Sequence, residues 1–336
     1  MTVRTDSPVA GRVLALGVLA ASLAVMVVAL FAGGGAPRAV PTGLSGAGTA
    51  VSWAVPVLRL VADLAAIATG GAVLGAVMLL PATGGKLGEQ GLRACQDAAL
   101  AAGLWAVASV GGLIVTAAVI LGIPLSELTA RADAGSLNQV RALAVAVVFT
   151  AVLAMVLSGC RTVATARIAL VLTAAALTGP LLTGHGAIER TAFWSVLATA
   201  SLVIHVFAAT TWIGGLGSLL RYARGEAGAV DRFSRLALIC ASSIGVTGLL
   251  TAEIHLGSRE RGWGLITQWV TTGYGALVLA KAAAFAVLVC IGWWHRRATL
   301  PALAAERPFA FWRLAAGELI LMAATVGLAV ALSRTP

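Results

Sequence analysis

Charge is scarce in this chain. Only 11% of its 336 residues are Asp, Glu, Lys or Arg, against about 25% in an ordinary soluble domain. So few ionic side chains cannot cover a water-exposed surface of this size, which excludes a soluble globular fold. Cysteine is sparse as well: there are four, with no CxxC pair and no cysteine–histidine zinc cluster. Beyond the initiator the methionines are Met26, Met78, Met155 and Met322, and no two stand at helical spacing. No P-loop, GxSxG, HExxH or EF-hand is present. Nucleotide hydrolysis, serine hydrolysis and zincin chemistry therefore have no motif to rest on, and no enzymatic activity is expected.

What fills the chain is apolar. Hydrophobic residues make up 60% of it and mean hydropathy is +0.97. A helix needs about 20 apolar residues to cross the hydrocarbon, and there each backbone polar group must be satisfied within the segment. Nine stretches meet the requirement: 12–32, 53–80, 95–122, 141–159, 165–183, 192–220, 234–256, 272–296 and 310–333. The predicted fold is an all-α, polytopic transmembrane bundle of nine spans. The first span is long for the apolar core of a signal sequence, so an uncleaved anchor is expected; cleavage would leave eight spans in the same orientation. No short-period repeat is visible. The spans divide into an N-terminal group of five (1–185) and a C-terminal group of four (186–336), and polar residues inside spans concentrate in the second.

Lys and Arg between the spans set the orientation. With the N-terminus in the cytoplasm, the inner segments carry fourteen, including Lys86, Arg93, Arg161, Arg221, Arg232 and Arg296, and the outer segments carry seven, including Arg131, Arg190 and Arg259. This two-to-one bias predicts N-inside and C-outside in the cytoplasmic membrane. The net charge of +10 is then a topology signal. The basic residues are scattered over short loops and form no single patch, so nucleic acid is not an expected partner; the lipid bilayer is.

In this orientation all four cysteines lie toward the cytoplasm, where thiols stay reduced, and no structural disulfide is expected. Cys95 and Cys160 fall at inner helix ends. Cys240 and Cys290 lie about two turns in from the inner face. They pack as small hydrophobes, or, at matched depth, they form a soft exit site for a cuprous ion.

An ionisable group in the hydrocarbon costs about 2.5–3.5 kcal/mol on insertion scales, so each one is informative. Arg59 and Asp63 stand four apart and are expected to pair on one helix face. His205 lies near the middle of the sixth span, with Trp212 at i+7 and Gly214, Gly215 and Gly217 beyond, where small residues admit another helix. A neutral imidazole is the commonest transition-metal ligand; a core histidine bonded to a neighbouring hydroxyl is the alternative, and residue chemistry alone leaves both open. In the seventh span Ser243, Thr247, Thr251 and His255 recur at steps of four and share one face, which is expected to point into the bundle unless the hydroxyls only back-bond to their own helix. At ~1.5 Å per residue His255 is near the outer interface, with Glu253 close by, and His205 is roughly 15 Å deeper. Lys281, preceded by Tyr274 and Gly275, lies in the eighth span at a depth similar to His205; its candidate partners are Asp63, Glu253 and Glu318. His185 and Glu189 occupy the outer loop before the sixth span. His295, in Trp293-Trp294-His295-Arg296-Arg297, reads as part of an interfacial belt.

The C-terminal group resembles the CopD family of bacterial copper-resistance membrane proteins, of the actinobacterial type that lacks a cytochrome oxidase assembly extension. The residues that carry the resemblance are His205 through Trp212 with Gly214-Gly215, Arg232-Phe233-Ser234-Arg235-Leu236-Ala237, Thr247-Gly248, Tyr274-Gly275 with Lys281, and the basic stretch ending in Pro301. They span about residues 190–305, and the N-terminal stretch Val55–Leu64 looks similar to the corresponding part of such proteins. The resemblance implies movement of copper across the cytoplasmic membrane, inward, with His205 and Trp212 in the functional core. On that reading copper is the ion handled. His255, Glu253 and His185 are capture ligands, and Ser243, Thr247 and Thr251 line the way to His205. Tyr274 and Lys281 give support, and Cys240 and Cys290 stand at the exit. The chain has no copper-binding extracytoplasmic domain and no methionine-rich loop, so an extracytoplasmic copper-binding protein is a candidate partner. It also carries His295 where an asparagine is expected before the basic pair. Two other readings stand beside transport. One is a non-transporting copper-delivery or assembly partner of a respiratory oxidase. The other is a haem-binding membrane redox protein, which would need a second mid-membrane histidine beside His205.

Overall fold

The computed structural model describes residues 8–38, 46–131, 135–182, 192–224, 228–256, 267, 269–299 and 308–335. Among these residues, nine helices are long and apolar enough to cross a membrane. They are α1 (Pro8–Ala32), α2 (Thr49–Leu74), α3 (Glu89–Leu121), α4 (Asn138–Ser158), α5 (Val163–Leu182), α6 (Ala192–Tyr222), α7 (Ala229–Leu256), α8 (Gly273–Trp294) and α9 (Pro308–Leu332). The protein is an all-α polytopic membrane protein, as expected. Each predicted span coincides with one helix, but several helices begin earlier than the apolar run. In α3 the added turn is polar. Glu89 sits at the positive end of the helix dipole and Arg93 reaches back to it at 2.6 Å, so the helix continues beyond the stretch that hydropathy marks.

The helices fall into two compact units. One holds α2–α7, in which α2 packs on α3, α5 and α6, α3 on α4, α4 on α5, and α6 on α7. Its interior is built from small residues. On α3, Ala94, Ala98 and Ala102 are fully buried while Leu100, Leu104 and Val107 are exposed. In water that arrangement would present an aggregating surface. In lipid it is the economical one, because association there depends on close backbone approach instead of on hiding aliphatic side chains.

The α2–α6 crossing follows the same rule. Gly71 of α2 and Gly75 just after it face Gly214 and Ser218 of α6, and a Cβ on Gly71 would meet the backbone of Gly214. Of the glycines that α6 was expected to offer another helix, Gly214 is thus taken up by α2. Just beyond, Phe233 of α7 lies over Gly215, with its ring 2.8 Å from where a Cβ would stand.

Two local devices close the ends of this unit. After α2 the chain tightens into a π segment, Gly75–Leu79, and Arg232 donates to the carbonyl of Leu79 at 2.7 Å, placing a cation on one of the orphan carbonyls at a helix C-terminus. A two-residue hairpin then pairs Ala82–Thr83 (β1) with Lys86–Leu87 (β2). Its turn residues Gly84 and Gly85 have φ of 58° and 77°, the left-handed pair that a type I′ turn requires. Leu87 N donates to Arg161 O and Val163 N donates to Gly85 O, so the hairpin is stitched to the α4–α5 turn.

The second unit holds α1, α8 and α9. α1 packs along α9, where a Cβ on Gly327 would strike the Ser22 carbonyl, and Met26 and Leu30 are fully buried. α8 packs on α9. Thr272 caps α8 by accepting from Gly275 N at 2.9 Å, and a π segment, His295–Thr299, continues the helix.

Candidate functional site: a polar seam between two helices

The hydroxyl face of α7 turns toward α6, and His205 lies against it. His205 Nδ1 is 3.1 Å from Thr247 Oγ1. That hydroxyl also lies 2.6 Å from the Ser243 carbonyl one turn earlier. A hydroxyl has one proton, and the shorter contact, to a carbonyl that can only accept, claims it. Thr247 Oγ1 therefore accepts from His205, which places a proton on Nδ1. The seam continues toward the N-terminal end of α6: Ser201 Oγ donates to Thr247 O at 3.2 Å and stands 3.4 Å from Thr251 Oγ1. Ser201 and Thr247 are buried and His205 is partly so. Gly248 lies beside the ring, where a Cβ would stand in ordinary contact, 3.7 Å from His205 Cε1.

The two alternatives for the α7 stripe are thus both realised. Thr247 bonds back to its own helix and holds the imidazole with the same oxygen. Ser243 contributes its carbonyl. Trp212 is buried on α6. Ser201 was not anticipated, though the signal was there: it precedes His205 by four residues and so shares its face.

Other predicted positions fall elsewhere. Residues 183–190, with His185 and Glu189, lie outside the described residues, as do the side chains of Glu253 and His255 at the end of α7. Arg59 and Asp63 pair as expected, at 3.1 Å. Cys240 is buried on α7, whereas Cys290 is exposed on α8, beside an apolar groove lined by Ala286, Val287, Ile291, Trp294 and Leu314. Tyr274 and Lys281, both on α8, are half-buried. Glu318, a candidate partner for Lys281, instead approaches His295, Oε2 to Nε2 at 3.4 Å without hydrogen-bond geometry, and both residues are buried. His295 is therefore not only an element of an interfacial belt. Beside it, Arg297 stacks on Trp293 at 4.6 Å.

Sequence reasoning also passed over a brace between α3 and α6. Arg221 Nε and Tyr222 Oη both donate to Asp97 Oδ2, at 2.8 and 2.6 Å. Among the described residues no three of His, Cys, Asp and Glu gather into a metal-holding group.

The architecture is thus that of a multi-pass helical membrane protein with a polar seam where α6 packs on α7. Residues 227–332, from just before α7 to the end of α9, match the family model CopD, copper resistance protein D. Over that part the chain is similar to the CopD family of copper resistance membrane proteins. The match takes in Arg232–Ala237, Thr247-Gly248, Tyr274-Gly275 and Lys281, and leaves His205–Gly215 outside it. No curated protein and no solved structure matches the chain.

Proposed function

We propose that this protein moves copper across the cytoplasmic membrane, inward from the extracytoplasmic side, along the α6–α7 seam. The observation that carries the reading is the 3.1 Å contact between His205 Nδ1 and Thr247 Oγ1. A ligating imidazole is commonly held through its second nitrogen, which fixes both tautomer and ring orientation. Here that support is a hydroxyl whose own proton goes to Ser243 O, so Nε2 is the nitrogen that would bind the ion. His255 and Glu253, with His185 in the preceding loop, would supply nitrogen and oxygen ligands outside. Ser201, Thr247 and Thr251 give the ion oxygen neighbours on the way to His205, and Cys240 stands about two turns further in on α7. Oxygen and nitrogen suit a cupric ion and thiols a cuprous one. The basic residues support an N-inside orientation. The driving force would be the ion's gradient, the membrane potential or the affinity of an extracytoplasmic copper-binding partner.

Uptake of radiolabelled copper by proteoliposomes tests this. The wild type should accumulate copper, and His205→Ala should lose nearly all of that uptake. Thr247→Val keeps the shape but removes the acceptor, and should cost about tenfold, the lower range for losing a metal ligand's hydrogen-bond partner. Wild-type uptake in His205→Ala would refute the path. A protein that only delivers copper would show no uptake in either form.

A further inference from the structure

Cys95 and Cys160 are 65 residues apart in the chain, yet their sulfurs lie 3.3 Å from each other. Both are reduced, and both are buried, at 1% and 5% exposure. Cys95 stands in the second turn of α3, while Cys160 lies in the turn between α4 and α5. The hairpin joins the two places: Leu87, two residues before α3, bonds to Arg161 O, and Val163 N bonds to Gly85 O. Lys86 is bridged to Thr162. The thiols therefore lie near the end of the unit where the hairpin meets the α4–α5 turn. Ser158, Gly159, Arg161 and the hairpin residues 82–86 are exposed around them.

We propose that Cys95 and Cys160 form a two-coordinate site for a cuprous ion, at the end of the α2–α7 unit that the basic residues assign to the cytoplasm. This inference rests on the copper reading above and on its orientation. Paired thiolates are soft ligands and favour Cu(I) over harder ions. Binding is ligand exchange without redox change: Cu(I) enters, two S–H protons leave to water, and two Cu–S bonds form. An ion between two sulfurs needs them roughly 4.5 Å apart, twice a metal–sulfur bond of ~2.3 Å, so the pair must open by about 1 Å. Cys160 can supply that movement, because it belongs to a non-helical turn flanked by exposed Gly159 and Arg161. The Cu(I) bis-thiolate complex carries one net negative charge, and Lys86 and Arg161, on the adjoining strand and turn, are cations of opposite sign. The site differs from the Cys240 and Cys290 exit considered from sequence. Those two thiols lie in separate units, whereas Cys95 and Cys160 already touch.

The full-length protein, in detergent and kept reduced with a phosphine, is titrated with Cu(I) against a chromogenic Cu(I) chelator. The wild type should retain one chelator-resistant ion. Cys95→Ser and Cys160→Ser should each hold it at least a hundredfold more weakly, and Cys95→Ala and Cys160→Ala should do the same if either serine form fails to fold. Equal affinity in wild type and either single variant would overturn the proposal. So would a chain from cells, alkylated under denaturing conditions without reductant, whose mass is two daltons low with both cysteines unmodified, since the pair would then be a disulfide. His205→Ala separates this idea from the pathway. It should keep the resistant ion while losing uptake. If uptake survives in His205→Ala but the cysteine variants lose the ion, the pathway reading falls and the thiol site stands.

Discussion

Gly214→Val is expected to prevent α2 and α6 from packing, and with that to remove most of the folded protein. A Cβ at Gly214 would lie 2.5 Å from the Ile67 carbonyl, 2.7 Å from Gly71 Cα and 2.9 Å from Gly71 N. Carbon atoms in contact rest at about 3.5–4.0 Å, so the helices must part by about 1 Å for a single methyl. All three obstacles are backbone, and no rotamer change relieves them. Separation would also loosen the neighbouring contacts, Gly75 against Ser218 and Gly70 against Thr210, which depend on the same approach. Overpacking of a well-filled core costs ~1–3 kcal/mol and occasionally more. The rigid obstacles put Gly214→Val, and Gly71→Ala from the other side, at the top of that range, about 3 kcal/mol. Gly103→Ala is the control, because nothing lies within 4 Å of a Cβ there, and Ala should gain up to about 1 kcal/mol in a helix. Thermal unfolding of the three variants in detergent, followed by circular dichroism, would test this. A Gly214→Val protein as stable as Gly103→Ala would show that the crossing is not as close as described.

What the sequence made legible and what it hid have separate physical causes. The spans were readable because the hydrocarbon imposes a length and a composition on each helix by itself, without reference to its neighbours. The stripe of Ser243, Thr247 and Thr251 was readable for a similar reason: a repeat of four is a property of one helix. Pairing between helices is not such a property. Gly214 and Gly215 announced that some helix approaches, but the choice of α2 depends on Gly71 and Gly75, which alone are only two more glycines in a glycine-rich chain. The contact between Cys95 and Cys160 depends on the hairpin bonds from Leu87 to Arg161 and from Val163 to Gly85, which involve backbone atoms that carry no sequence signal. His295 was read through its neighbours. Trp293, Trp294, Arg296 and Arg297 are all exposed, and only the residue between them turns inward, where α8 gives way to the π segment.

That inward residue leads to the second large effect. His295 and Glu318 are 8% and 5% exposed, and they join α8 to α9 within one unit. Removing one partner of a buried polar contact leaves the other group's desolvation uncompensated and costs about 1–3 kcal/mol, whereas replacing both with apolar residues of similar volume is often neutral or better. Glu318→Ala and His295→Ala are therefore each expected to lower stability by about that amount, and the double variant His295→Leu/Glu318→Met to regain most of it. A cycle of the two singles and the double, measured by unfolding in the same detergent, isolates the coupling. If the losses simply add in the double variant, the two residues act separately and the 3.4 Å approach does not stabilise the fold. Strong coupling would mean that the unit keeps a paired imidazole and carboxylate inside apolar surroundings when a leucine and a methionine would hold α8 to α9 as well. The reason for retaining them would then lie in what the pair does, and proteoliposome uptake by the stable double variant is the measurement that separates that role from packing.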